Sequence, residues 1–226
     1  MKKLIIAHRG ASAQAPENTL EAFEKAIEAK ADMIELDVRR TRDKRLIVIH
    51  DPKVGKKKVG DLTYRQLLSI NPRVPTLEEV LRLTSGKIKL DIEVKERGFE
   101  PEVLDTVLRY FKYRNFFISS FFSSVIKKVK RLDHEVMTGL IVGARPSDQF
   151  KILKLMALRM AAKADFLVIN CKLWQPKLSR FFPHHKQLIY VWTVNDEKEM
   201  KVLLNHPQIA GIITDNPELG VRLRGR

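Results

Sequence analysis

Glu35 and Asp37 alternate with Ile34, Leu36 and Val38 in MIELDV, residues 33–38. In an extended strand this spacing sets both acids on one face and the apolar residues on the other. LDIEVK, residues 90–95, repeats the device, so that Glu93 and Lys95 share a face. His8-Arg9 closes one apolar run and His50 closes another, LIVI at 46–49. Carboxylates gathered in an interior need compensation. Three converging carboxylates suit a hard divalent cation, Mg²⁺ or Ca²⁺, held through oxygen. Two nearby histidines would also suit Zn²⁺. Ligation by both, however, would leave no proton carrier, while the acids alone suffice for a hard ion. His8 and His50 are therefore assigned to general acid–base work. Arg9 and Lys95 add fixed positive charge for a phosphate. Together these groups fit phosphoester hydrolysis.

Each residue also has a plainer reading on its own. A strand-end histidine is often a hydrogen-bonded structural residue. Glu35 and Asp37 would serve in a salt-bridge network, Lys95 as a solvated edge charge, and Trp192 as a rim aromatic. One shared site accounts for all of them at once.

Elements must bring these groups together. Apolar runs at 4–8, 33–38, 46–50, 88–95, 116–121, 137–142, 166–170, 188–194 and 211–214 read as strands,. Helical spacing separates most of them. Leu20, Phe23 and Ile27 form one stripe, opened by Asn18 with Glu21 three residues on; Thr76 and Glu79 open another, with Leu77, Val80 and Leu81 facing inward,. Further helices start at NDEKEMKVLL and NPELGVRLR. Such alternation predicts a parallel α/β sheet.

Only seven residues separate 33–38 from 46–50, too few for a parallel crossover, which takes about a dozen. These two strands should form an antiparallel hairpin turning at Arg42–Arg45, with Glu35 roughly opposite His50. The other eight should close a (β/α)8 TIM-type barrel within a single domain spanning 1–226. Residues 51–75 are expected to be an irregular insertion or small lid. Active groups of such barrels stand at the carboxyl ends of the strands. Those ends also carry Ser119–Phe121, Asn170 and Trp192.

The 226 residues carry 42 Lys+Arg against 27 Asp+Glu, a formal charge of +15. The basic residues are spread along the chain, denser only at Lys56–Lys58, and no nucleic-acid motif accompanies them, so no nucleic-acid partner is expected. Cys171 is the one cysteine, which rules out an intrachain disulfide and suggests a reducing compartment. The start MKKLIIAHRG has too short an apolar run for a signal peptide, and no stretch approaches the ~20 apolar residues of a membrane span. A soluble, cytoplasmic protein without membrane insertion is expected.

AHRGASAQAPENTLEAF, IELDVRRTRDKRLIVIHD, PTLEEVL, LDIEVK and VWTVNDEKEM…GIITDNPELG, in this order over residues 4–220, resemble the glycerophosphodiester phosphodiesterase family. The resemblance implies an imperfect (β/α)8 barrel that hydrolyses glycerophosphodiesters to glycerol 3-phosphate and an alcohol with a divalent metal. By position it implies that His8 and His50 are the catalytic pair, that Glu35, Asp37 and Glu93 are metal ligands, and that Arg9 and Lys95 hold the phosphate. Trp192 would form an aromatic wall, and Asn18 a helix cap with a supporting role. The chain departs from the family at Asp43-Lys44, where Asp-Gly is common, at Asp91, where Asn is frequent, and in a short, lysine-rich insertion. Two other readings are a lysophospholipase D-type hydrolase with an apolar groove near Phe121-Phe122 and a silent barrel that binds polyanions.

Overall fold

The fold is a computed structural model that describes residues 2–143, 157, 159–174 and 189–225. Its strands are β1 (Leu4–His8), β2 (Met33–Arg40), β3 (Leu46–Val48), β4 (Lys53–Val54), β5 (Lys57–Lys58), β6 (Lys89–Val94), β7 (Phe116–Ser120), β8 (Thr138–Val142), β9 (Phe166–Asn170), β10 (Ile189–Trp192) and β11 (Ile209–Thr214). The order β1-β11-β10-β9-β8-β7-β6-β2, joined again by β1–β2 pairing, closes an eight-stranded parallel barrel. Helices α1 (Leu20–Glu28), α3 (Leu77–Thr84), α4 (Glu100–Leu108), α5 (Ser123–Leu132), α6 (Glu197–Asn205) and α7 (Pro217–Arg224) lie between and after the strands, and α2 (Tyr64–Leu68) sits in the insertion. Position 188 of the expected strand 188–194 lies outside the described residues.

The barrel interior is apolar. Ile6, Met33, Phe166, Val168, Tyr190 and Ile213 pack there. Gly139 makes room for this layer, since a Cβ would stand 2.3 Å from the Phe166 ring. Outside, Phe23, Leu77, Val80, Leu81 and Val103 seal helices against strands. The expected cap at Thr76 is present as a full capping box with Glu79. A cap of this kind contributes about 1 kcal/mol.

Three expectations are corrected. The cap of α1 is Thr19, which accepts from the Ala22 amide, and Leu20 is exposed. Asn18 instead turns inward with φ 57° and donates from Nδ2 to Asp37 Oδ2 at 2.8 Å. Asn18 Oδ1, the atom a cap would use, accepts from the Asp37 backbone amide at 3.3 Å,.

The hairpin is antiparallel, but its register pairs Val38 with Val48 and Arg40 with Leu46. Continued to Ile49, whose amide donates to the Asp37 carbonyl, this ladder sets His50 beyond its end and not opposite Glu35. The third correction concerns 51–75. The β4–β5 ribbon, α2 and a small apolar cluster of Val59, Leu62, Leu67 and Val74 against Ile47 give this segment structure of its own. At the hairpin turn Lys44 takes φ 63°, the left-handed region that glycine enters most readily,.

Candidate active site

Parallel pairing assembles the acids. Glu35 lies level with His8 on one side and Asp91 on the other, while Asp37 lies level with Glu93. Period-two alternation then points the side chains of β1, β2 and β6 into one mouth. Beyond the end of β1, the loop turns tightly: Arg9 has φ 55° and Gly10 φ 86°. A Cβ on Gly10 would meet the backbone of Ala22 at 2.7 Å, so this loop lies directly on α1.

Glu35, Asp37, Asp91 and Glu93 are all buried. Glu35, Asp37 and Glu93 each offer an oxygen, and these atoms lie within 4.8 Å of one another. Lys95 Nζ stands 2.7 Å from Glu93 and 3.2 Å from Asp37 Oδ1. Arg9 Nε is 3.2 Å from Asp37 Oδ2, its Nη1 is 2.8 Å from Glu17, and its amide donates to Glu35 at 3.0 Å. Four carboxylates thus face two fixed cations.

The deficit shows in their acidities. Burial opposes ionisation of Asp37, yet Lys95, Arg9 and the Asn18 amide outweigh it and hold its carboxyl below the usual range. Burial, reinforced by Asp37, Glu93 and Asp91, drives Glu35 well above that range against Arg9. Burial also lifts Glu93 to about 7 in spite of Lys95. Asp91 reaches about 7 through burial, although Ser119 Oγ donates to it at 2.6 Å. Two charges in this cluster lack a counter-charge when all four acids are ionised. Asp37 Oδ1 is moreover a buried acceptor without a hydrogen-bond donor. An all-oxygen donor set, an Asp37 oxygen with no hydrogen bond beyond its ion pair to Lys95, and excess negative charge fit a hard divalent cation,.

His8, Arg9, Glu35, His50, Glu93, Lys95 and Trp192 line one narrow pocket of about 70 Å³, with Asp91, Ser119 and Phe121. Asp37 is fully buried behind that wall, paired with both cations. Trp192 donates from Nε1 to the Val168 carbonyl and meets the Phe121 ring edge-on at 5.6 Å between centroids. A wider cleft of about 340 Å³ opens beyond His50, lined by Glu17, Asn18, Asp51, Lys53 and Arg73. Asn170 lies apart from both, capping a turn at Lys172.

Each histidine has a carboxylate partner that sequence reasoning passed over. His8 Nδ1 lies 2.6 Å from Asp215 Oδ1, and His50 Nδ1 lies 2.8 Å from Asp51 Oδ1. Both rings therefore have Nε2 left for the pocket. Burial, Lys95 and Arg9 lower the His50 pKa, against the pull of Asp37 and Asp51. Arg39, also passed over, donates twice to the His50 carbonyl, at 2.9 and 2.8 Å, and pairs with Glu96. Asp51 follows His50 directly and Asp215 directly follows β11, so position at strand ends was the available signal.

Residues 8–219 match the Glycerophosphoryl diester phosphodiesterase family. A glycerophosphodiester phosphodiesterase of Caldanaerobacter subterraneus subsp. tengcongensis is 32% identical over 249 residues, covering 99% of this chain and 98% of that protein. The glycerophosphodiester phosphodiesterase structure from Thermotoga maritima superposes with a TM-score of 0.82 at 27% identity, covering 99% of each chain. A phosphodiesterase of Oleispira antarctica, solved with the product sn-glycerol-3-phosphate, gives 0.83 at 22% identity over 99% of this chain and 97% of that one; at this identity the likeness speaks for the fold alone. A match over nearly the whole length and a full-length relative at this identity agree with the site geometry: the chain belongs to the glycerophosphoryl diester phosphodiesterase family.

Proposed function

We propose that the protein hydrolyses glycerophosphodiesters to glycerol 3-phosphate and an alcohol, with His8 and His50 as proton carriers and Glu35, Asp37 and Glu93 holding Mg²⁺ or Ca²⁺. The single observation that carries this reading is the pocket in which both imidazoles, both cations and the acid cluster meet. A bound divalent cation supplies Lewis-acid charge to a phosphate oxygen. The chain's own residues do the rest. Arg9 and Lys95 attract the phosphate and keep Asp37 ionised. One imidazole removes a proton from the attacking hydroxyl and the other gives one to the departing alcohol. The attacker is water, or the glycerol 2-hydroxyl, in which case a cyclic phosphate forms and water then opens it to glycerol 3-phosphate. Trp192 and Phe121 wall off the apolar side of the pocket. The wider cleft beyond His50 takes the alcohol portion, with residues 51–75 as its lid.

The substrate is a small molecule, and neither nucleic acid nor membrane insertion enters the reading. Among the described residues no helix is long and apolar enough to cross a membrane. The lone Cys171 supports a cytoplasmic setting,. Phe121 lines the pocket and is exposed, as is its neighbour Phe122, which favours one second reading: a substrate whose glycerol retains an acyl chain.

Turnover of glycerophosphocholine and glycerophosphoethanolamine, compared with lysophospholipids, with and without EDTA, tests both. Hydrolysis of the first pair that EDTA abolishes and added Mg²⁺ or Ca²⁺ restores is the expected outcome. Preference for lysophospholipids would favour the second reading, and hydrolysis unaffected by EDTA would overturn the metal.

A further inference from the structure

Asp215 has no part in the reaction outlined above, yet its carboxylate is fixed from three directions. His8 Nδ1 lies 2.6 Å from Oδ1, Ser12 Oγ donates to the same oxygen at 3.0 Å, and Asn195 Nδ2 donates to Oδ2 at 2.5 Å. The backbone is held too. The Asp215 amide donates to Asn195 Oδ1 at 3.0 Å, and its carbonyl accepts from the Ala13 amide at 3.0 Å. Asn195 Oδ1 accepts in addition from Thr214 Oγ1. Ser12 Oγ lies within reach of the His8 carbonyl as well, at 2.9 Å, so one hydroxyl touches both partners.

An anion in this place does two things to an imidazole. In the neutral ring it keeps the proton on Nδ1, which leaves the Nε2 lone pair for the pocket. It also resists rotation of the ring, because both of its own oxygens are engaged. A salt bridge that merely joined β1 to β11 would require no such bracing of both carboxylate oxygens.

We propose that Asp215, braced by Ser12 and Asn195, is a positioning residue that holds the His8 ring with its proton on Nδ1 and Nε2 turned to the substrate pocket. The inference rests on the reading of His8 as a proton carrier. It predicts that Asp215 acts through His8 alone.

The test is steady-state hydrolysis of glycerophosphocholine with Mg²⁺ or Ca²⁺ added, together with histidine ¹⁵N spectra. The proteins are wild type, Asp215→Asn, Ser12→Ala, His8→Ala and the double variant His8→Ala/Asp215→Asn. Asp215→Asn should lower kcat about 10–100-fold with KM within about threefold, the scale seen when a group supporting a functional histidine is lost. In the His8→Ala background the same change should cost nothing further. The His8 tautomer should be Nδ1–H in wild type and redistributed in Asp215→Asn. Ser12→Ala should show the same spectral change in weaker form, which keeps the test open if Asp215→Asn does not fold. Near-wild-type kcat in Asp215→Asn, a multiplied loss in the double variant, or an unchanged tautomer would overturn the proposal. If His8→Ala itself retained turnover, the acid–base reading would fail instead, a result that the spectra separate from the role of Asp215.

Discussion

The two histidines reach the same pocket from opposite kinds of support. His8 ends a barrel strand, its side chain is 15% exposed, and its ring is braced through Asp215 by residues from two other loops. His50 ends the rim hairpin and is 34% exposed, and its carboxylate partner Asp51 is itself 72% exposed. What fixes His50 is the backbone: Arg39, buried in β2, grips its carbonyl with two hydrogen bonds. One imidazole is held by its ring and the other by its main chain. Solvent-exposed ion pairs contribute little, so the weight at His50 should rest on Arg39 and at His8 on Asp215.

The largest expected effect leaves this comparison intact and removes either of the two proposed proton carriers. His8→Ala and His50→Ala should each cut turnover by about 10²–10⁴-fold with the fold retained, the range for an acid–base group. Circular dichroism and kcat together check this, and near-wild-type kcat in either variant would dissolve the symmetry of the pair. Arg39→Ala comes next. Loss of two charge-assisted hydrogen bonds to one carbonyl should lower kcat about tenfold and destabilise the fold by about 1.5–3 kcal/mol, read from urea melts. Asp51→Asn should stay within about threefold of wild type, as an exposed pair predicts. If it matched Asp215→Asn in severity, the contrast between the two mounts would be broken.

A pH series sharpens the same contrast. The Asp215 carboxyl is burdened by burial, but His8, Asn195 and Ser12 outweigh that and bring it down to about 2. The unfolded carboxyl titrates near ~3.9. A depressed acid stabilises the fold above the unfolded value, and that contribution disappears as pH falls through the folded one. Wild type should therefore exceed Asp215→Asn in stability at pH 5–7, and the gap should narrow from about pH 4 toward pH 2. Urea melts across that range provide the measurement. The smallest effect concerns the hairpin turn: Lys44→Gly should stabilise by at most about 1 kcal/mol, because Lys44 sits in a left-handed conformation,.

Much of this site was legible in the sequence because period-two alternation within a strand is local information. Glu35 with Asp37, and Glu93 with Lys95, needed only their own spacing, and the short link between 33–38 and 46–50 was enough to predict a hairpin. What was hidden depends on register or on distant partners. The register of β2 on β3 placed His50 past the ladder and not across from Glu35. Asn18 reads as a cap from its neighbours, but the demand of Asp37 is set across 19 residues. Asp215 and His8 lie 207 residues apart and meet only because the last strand closes on the first. The small core under residues 51–75 was missed because Val59, Leu62, Leu67 and Val74 follow no single period.

The central claim is that Glu35, Asp37 and Glu93 together hold a divalent cation beside both imidazoles. A crystal of the wild-type protein soaked in Mn²⁺, a scatterer that substitutes for Mg²⁺ or Ca²⁺, tests it most directly. The account predicts an anomalous peak among the three carboxylates, lost in Glu35→Gln/Glu93→Gln. Carboxylates left bare at saturating Mn²⁺, or a peak bound elsewhere in the barrel, would contradict it.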